Sequence, residues 1–389
     1  MVGPDLYMDE ITLRVSTCTR DSNPSAGEPT YYASNGRDIT GWTSLRVSRG
    51  IERCPSDFEV SFTEPYPGVS QVIVQPGDLV QVLLGSDVVL TGFVDRYLPS
   101  YNAREHTIRI TGRSKCQDLV DCSAKWTGGQ LLNLTVDQIA KQLCAVYGID
   151  VNVASGTAIG DPIPQLNIMV GEPVYEVLER ICRYRALLLY DQPDGSLLLA
   201  NGGAGSGSIG TRKASSGFTE GVNVTSAGGM YSMDGRFSDY DAVYQGLDTF
   251  QDIGDGGNLI AHVTDPGVPR LRYRAIVSEN VAGGSTVAQQ RANWELAARM
   301  GRSMQVRLST DSWRDSSGTL YEPNTLVDID LPGLKLTPKT WLIADVTYLR
   351  NEQGTRADLT IMPPQAFYQE PVTLYPIAPD INTVSGANS

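Results

Sequence analysis

TGFVDRYLPSYNAREHTIRITGRSKCQDLVDCSAKWTGGQLLNLTVDQIAKQLCAVYG, residues Thr91–Gly148, holds in one block both kinds of local order found along this chain. His106–Thr111 alternates, with Ile108 and Ile110 on one face, which is the period of a half-buried strand. Val88–Val94, just upstream, supplies an apolar run for a neighbouring strand. After an irregular stretch, Thr135 with Gln138 three residues later predicts a capping box. Ile139, Leu143, Val146 and Tyr147 then form an apolar stripe at helical spacing, and Gly148 is placed to end the helix. The block predicts strands followed by a capped helix, and it contains no catalytic constellation.

Upstream, Leu45 and Val47 alternate with Arg46 and Ser48, and Phe58, Val60 and Phe62 with Glu59 and Ser61. Gln71–Gln75 is cut by the turn Pro76-Gly77-Asp78, and Leu79–Leu84 and Val88–Val94 flank a short connection, Gly85-Ser86-Asp87. Six or seven such runs precede residue 115, enough strands to close a small barrel. Ile11–Ser16 is a further strand ahead of a turn-rich stretch, RDSNPSAGEP. Downstream, a second helix is expected over about Val174–Leu187, then a hairpin turning at Pro193-Asp194-Gly195. Strands follow at Arg236–Gly246 and Arg270–Ser278, and a long helix opens at Ser285 or Thr286 and runs to about Met304. The last strands fall at Met304–Leu308, Thr325–Leu331, Trp341–Arg350 and Arg356–Met362.

Gly (39) and Pro (22) are plentiful and Tyr (18) outnumbers Phe (7), a mix that suits many short strands with frequent turns. No run approaches 18 apolar residues, so no membrane-spanning helix or anchor is expected, and no signal peptide is visible. A formal charge of −13 argues against nucleic-acid binding as the main function, although an acidic protein can line a channel without holding DNA. Six cysteines without a C-x-x-C spacing and only two histidines argue against a zinc site or a disulfide framework.

Candidate chemistry is thin. Gly202–Gly210 follows a strand but lacks GK[ST] and an ensuing helix, so it is read as a linker or hairpin tip. Asp252–Gly257 lacks the spacing and closing glutamate of a calcium loop. His106 shares a strand face with Ile108, and His262 lies near Asp265 with no nucleophile motif around it. Among 44 acidic residues some pair will always look suited to glycoside cleavage, so such a pair carries no weight alone. Trp42 with Arg46, Arg49 and Glu52 is the candidate subunit or tube interface, the alternative being a barrel-rim cluster with no partner.

Several stretches, in the same order along the chain, resemble the baseplate hub family of phage Mu and its prophage relatives. They are GWTSLRVSRGIERCPSDFEVSF (Gly41–Phe62), the Thr91–Gly148 block, EPVYEVLERICRYRALLLYDQPDGSLLL (Glu172–Leu199) and RFSDYDAVYQG (Arg236–Gly246), followed by YEPNTLVDI (Tyr321–Ile329) and DVTYLRNEQGTRADLTIMPPQAF (Asp345–Phe367). None is a catalytic motif, and the specificity lies in their ordered co-occurrence. The resemblance implies a β-rich α+β protein with two tube-like β-barrels and smaller accessory domains. The expected limits are an N-terminal extension 1–36, a first barrel 37–125, an α+β accessory domain 126–205 and a discontinuous second barrel 206–370 with an inserted helix 285–304. A tail, 371–389, completes the chain. The family implies a structural hub of a contractile tail or tailocin in the virion, with no cofactor. It would be a homotrimer joining the sixfold tail tube protein to the threefold central spike protein among other baseplate proteins, with DNA passing through its lumen. The hub-like part of a type VI secretion spike follows the same logic. A β-rich tail-associated hydrolase of cell-wall or surface glycans is the alternative from another class.

Overall fold

The computed structural model describes residues 10–21, 31–63, 74–103, 106–126, 128–185, 187–201, 212–245, 258–278 and 284–367. The segments Gly202–Gly210 and Asp252–Gly257, most of Gln71–Gln75 and the C-terminal tail lie outside these residues.

The first lobe contains β1 (Ile11–Arg20), β2 (Tyr31–Ile39), β3 (Ser44–Gly50), β4 (Asp57–Thr63), β5 (Leu79–Leu84), β6 (Asp87–Tyr101) and β7 (His106–Ser114). Their order is β3-β4-β7-β6-β5-β1-β2, with every pair antiparallel. The alternation seen in sequence sets the faces: Leu45, Val47, Phe58, Val60, Ile108 and Ile110 all enter one core. β1 lies between β5 and β2 and buries Ile11, Leu13 and Val15, so residues 11–20 are an integral strand of this lobe.

An α+β unit follows: α1 (Gln117–Asp121), β8 (Gln130–Leu134), α2 (Val136–Ala145), β9 (Val151–Val153), β10 (Ile163–Asn167), α3 (Val174–Tyr184), β11 (Leu187–Asp191) and β12 (Leu197–Asn201). It has its own core, built from Ile139, Leu143, Val177, Leu178 and Ile181 among others. The capping box forms, the Thr135 N–H donating to Gln138 Oε1 at 3.0 Å. Gly148 (φ 65°) takes the left-handed conformation beyond the helix end. Helix α3 stops short of Leu187, because Leu187–Asp191 pairs with β12 and is buried along its whole length.

The second lobe comprises β13 (Arg212–Lys213), β14 (Phe218–Thr219), β15 (Val224–Tyr231), an insertion, and then β19 (Met304–Thr310), β20 (Thr325–Leu331), β21 (Leu336–Asn351) and β22 (Gly354–Met362). The insertion is a mixed sheet of β16 (Asp239–Gln245), β17 (Asn258–Thr264) and β18 (Tyr273–Ser278), covered on one face by α4 (Gly284–Arg302). Tyr240, Ile276, Leu296 and Met300 form that contact. The long helix ends two residues before Met304, which opens β19. Strand order in the lobe is β15-β19-β22-β21-β20, with β13 and β14 parallel on β20.

β21 joins the lobes. Its first half pairs with β20 up to Leu342, and on the same edge Asp345–Arg350 pairs with β3. The result is one 14-stranded sheet among the described residues. The closed barrels expected from the resemblance are not seen as rings here: the path ends at β2 on one side and β15 on the other, and one bridge, Glu220 to Val224, links the chain after β14 to β15.

The lobes repeat one another, with β3, β4, β5, β6 and β7 matching β15, β19, β20, β21 and β22. β6–β7 has a bulge just after Val94, and β21–β22 has one just after Ile343. β5–β6 shifts register after Val82, and β20–β21 shifts after Ile329. Pro76-Gly77-Asp78-Leu79-Val80 leads into β5 as Pro323-Asn324-Thr325-Leu326-Val327 leads into β20. Gly77 (φ 91°) and Asn324 (φ 65°) are both left-handed, as this turn requires. Their N–H groups donate to matching carbonyls, Val94 at 2.8 Å and Ile343 at 2.9 Å.

Candidate subunit interface

Trp42 precedes strand β3, Arg46 and Arg49 lie on it and Glu52 follows in the turn, and the fold separates these four residues singled out in sequence. Trp42 is 9% exposed, packs edge-on against Phe62 with ring centroids 5.3 Å apart, and donates its indole N–H to the Ile39 carbonyl at 3.0 Å. It belongs to the first lobe's core. Arg49 is also buried, at 6% exposure, with Nη1 3.8 Å from Glu322 Oε1 of the second lobe. It therefore sits inside the seam between lobes. Glu52 accepts from Arg302 Nη2 at 3.3 Å, tying the turn after β3 to the end of α4. Arg46 alone faces outward on the strand, paired with Asp57 and donating to Ser48 Oγ at 2.9 Å.

Arg46 belongs to a charged strip that sequence reasoning passed over. On the outer face of β3-β4-β7-β6, Arg53 meets Asp57 at 3.2 Å, Arg109 meets Glu59 at 3.8 Å, and Arg113 bridges Asp95 and Asp121, both at 2.7 Å. Asp57 lies directly opposite Arg113 across the β4–β7 ladder. The two carboxylates hold the Arg113 guanidinium well above its ordinary pKa. The cue available in sequence was the set of polar positions alternating with the core residues. Such exposed pairs contribute little stability. Their effect is to leave Arg46, Arg109 and Arg113 already matched to carboxylates.

Asp191 joins the α+β unit to the first lobe. Its carboxylate accepts from Ser56 N at 3.2 Å and Ser56 Oγ at 3.0 Å, and burial pushes its pKa up against the pull of those donors and of Arg49. Burial likewise raises the Cys144 and Cys182 thiols, which makes them poor nucleophiles. All six cysteines are free. His262 pairs with Asp241 across the β16–β17 ladder, Nδ1 to Oδ1 at 2.5 Å, while Asp265, its neighbour in sequence, is taken by Arg236. Tyr273 donates to the other Asp241 oxygen at 2.9 Å, so the carboxylate that could orient the histidine is engaged from both sides.

Asp345 faces Gly50 across the lobe seam, and burial, then Glu52, raise its pKa. A carboxyl held more protonated when folded adds stability below its unfolded pKa of about 3.9, and loses it as pH rises through the folded value. Asp345→Asn is thus expected to raise the thermal midpoint at pH 7, with the gain vanishing near pH 3. Calorimetry over that range checks it; a gain independent of pH would refute the assignment.

Three family models match the chain: "Mu phage baseplate assembly protein GpP-like, N-terminal" over residues 32–114, "Baseplate hub protein gp44-like, second domain" over 116–201, and "Mu phage baseplate assembly protein GpP, fourth domain" over 284–370. The baseplate hub protein gp44 of Escherichia phage Mu is 30% identical over 368 residues, covering 92% of each chain. Among solved structures, a 43 kDa tail protein of prophage MuSo2 from Shewanella oneidensis superposes with a TM-score of 0.75 at 28% identity, covering 92% of this chain and 99% of that one. A tail protein from Neisseria meningitidis MC58 gives 0.73 at 17% identity over the same shares, a likeness of fold. An Escherichia coli type VI secretion component gives 0.52 at 10% identity, covering 86% of this chain and 77% of that one, again a likeness of fold alone.

Proposed function

This chain belongs to the Mu-type baseplate hub family, structural proteins of the phage tail, and from that premise we propose that it works as a homotrimer adapting the sixfold tail tube to the threefold central spike. One observation carries the proposal: the chain holds the same strand module twice, with matching bulges and matching left-handed turn residues. Three copies then present six near-equivalent modules, a ring whose upper face matches sixfold neighbours while its true symmetry stays threefold. Each lobe serves as one tube-like barrel unit in that ring. The α+β unit and the β16–α4 insertion lie outside the repeat and supply what differs between successive positions.

DNA would pass through the lumen without being held. The charge of −13 favours this. Of the four residues singled out in sequence, Arg46 is the one on an exposed sheet face, and it stands as a candidate contact to a tube neighbour. Arg49 and Glu52 act within the chain, Arg49 at the seam between the modules and Glu52 against the end of α4.

Light scattering on the purified protein tests the assembly. The expected mass is about 126 kDa, three times the 42.1 kDa chain. A single species at the chain mass across a concentration series, with tube and spike proteins both absent and present, would overturn the trimer.

A further inference from the structure

Within one chain the lobes are joined by a seam, β3 against Asp345–Arg350 of β21. The repeat gives each partner in that seam a counterpart: β15 for β3, and the second half of β6 for the second half of β21. Neither counterpart has a strand on the corresponding edge among the described residues. The β5 pairing of β6 ends at Phe93, although β6 itself runs on to Tyr101. β15 pairs with β19 on one side and has only the bridge at Val224 on the other. We infer that β15 of one copy pairs antiparallel with Leu98–Tyr101 of β6 in the next copy, in the register of the internal seam.

The register follows from the ladders. Phe58 and Val306 are counterparts, because they face Gly112 and Ile361, the residues opposite Val94 and Ile343. Val47 faces Phe58 and Gly229 faces Val306, so β3 Leu45-Arg46-Val47-Ser48 corresponds to β15 Ala227-Gly228-Gly229-Met230. Likewise Thr347-Tyr348-Leu349-Arg350 corresponds to Leu98-Pro99-Ser100-Tyr101. Internally, Ser48 faces Thr347 and Tyr348 faces Val47. Between copies, Met230 then faces Leu98, Gly229 faces Pro99, and Ala227 faces Tyr101.

Three features of these edges suit that partner. β15 is exposed almost throughout and contains neither a charged residue nor a proline, the devices that normally blunt a free edge. Tyr101 is 87% exposed and Met230 44%, large apolar groups left partly or mostly open to solvent at these edges. The residues expected opposite Pro99 and Tyr101 are Gly229 and Ala227, which leave space for a ring. Pro99 can give up one ladder bond, as prolines at strand edges do. The occupant is a second copy of this chain because the same pairing is already realised inside each copy, and its two halves are left over once per chain.

The inference rests on the trimer proposed above, and the test separates the two. Leu98→Cys with Met230→Cys places thiols at directly opposed positions, where Cα atoms of an antiparallel pair stand about 4.5–5.5 Å apart, within disulfide reach. The internal counterpart shows such side chains meeting, with Ser48 Oγ 3.1 Å from Thr347 Oγ1. After mild oxidation, non-reducing gels should show covalent dimers and trimers for the double variant, and none for either single variant or for Leu98→Cys with Gly229→Cys. Ser48→Cys with Thr347→Cys should instead close within one chain, leaving the mass unchanged. Ala227→Lys should convert trimer to monomer while leaving the far-ultraviolet circular dichroism of the folded chain unchanged. A trimer that neither cross-links in this register nor responds to Ala227→Lys would overturn the seam while leaving the trimer standing. A chain that stays monomeric would overturn both.

Discussion

Trp313→Ala is expected to lower the unfolding free energy by about 3–5 kcal/mol, a large part of the stability of a typical domain. Trp313 is completely buried in the loop between β19 and β20. Its indole N–H is shared between two carbonyls at the β21–β22 hairpin, Arg356 at 2.9 Å and Leu349 at 3.2 Å. The ring meets Tyr348 edge-on, centroids 6.4 Å apart, and the Tyr348 hydroxyl donates to the Tyr321 carbonyl at 2.5 Å. Alanine would leave a cavity and withdraw the donor from both carbonyls. The loop would also lose its hold on the first lobe, because Arg314 pairs with Asp87 at 2.6 Å and donates to the Leu84 carbonyl at 2.9 Å. Trp313→Phe keeps most of the volume and loses the N–H, so it should cost less, by about 1–3 kcal/mol. Denaturant unfolding of both variants measures the difference; equal losses would show that hydrogen bonding, not volume, governs the site.

Arg236→Met should also cost about 3–5 kcal/mol, for an electrostatic reason. Arg236 and Asp265 form a bidentate pair at 2.6 and 3.0 Å, with side chains only 4% and 0% exposed. Asp265 also accepts the Gly267 N–H at 2.9 Å, which closes the turn after β17. Removing the guanidinium leaves a carboxylate in a site without solvent. The double variant Arg236→Met with Asp265→Leu removes both charges and should recover most of the loss, because desolvation of a buried pair consumes much of its attraction. If the double variant is no more stable than the single one, packing rather than charge is the dominant contribution. The damage should be largest in the insertion β16–β18 and α4, and hydrogen exchange would locate it there.

Strands with a buried and a solvated face were legible in sequence. β3, β4 and β7 follow the alternation of Leu45, Val47, Phe58, Val60, Ile108 and Ile110, and helix α2 follows its capping box. β15 was missed because VTSAGGMY has neither alternation nor β-branched bulk, and its strand conformation comes from the ladder with β19. β2 was hidden in the same way by YYASNGRDI, half of it polar or glycine. The candidate interface failed to gather on one surface for a related reason. Trp42, Arg46, Arg49 and Glu52 are close in sequence, yet Trp42 packs on Phe62 ahead of the strand, and the period of β3 sends Arg46 outward and Arg49 inward.

From the sequence alone came the local elements, their approximate limits and a resemblance spread in order along the chain, since periodicity, caps and turns are short-range properties. Tertiary structure alone decided that β3 would pair with β21, from the far end of the chain. It also revealed that two modules with little in common beyond PGDLV and PNTLV share their bulges and registers. Strand pairing is made by backbone N–H and C=O groups that every residue but proline possesses in full, so sequence hardly encodes the partner. The partner is chosen by which faces can be buried together, a property of the assembled sheet.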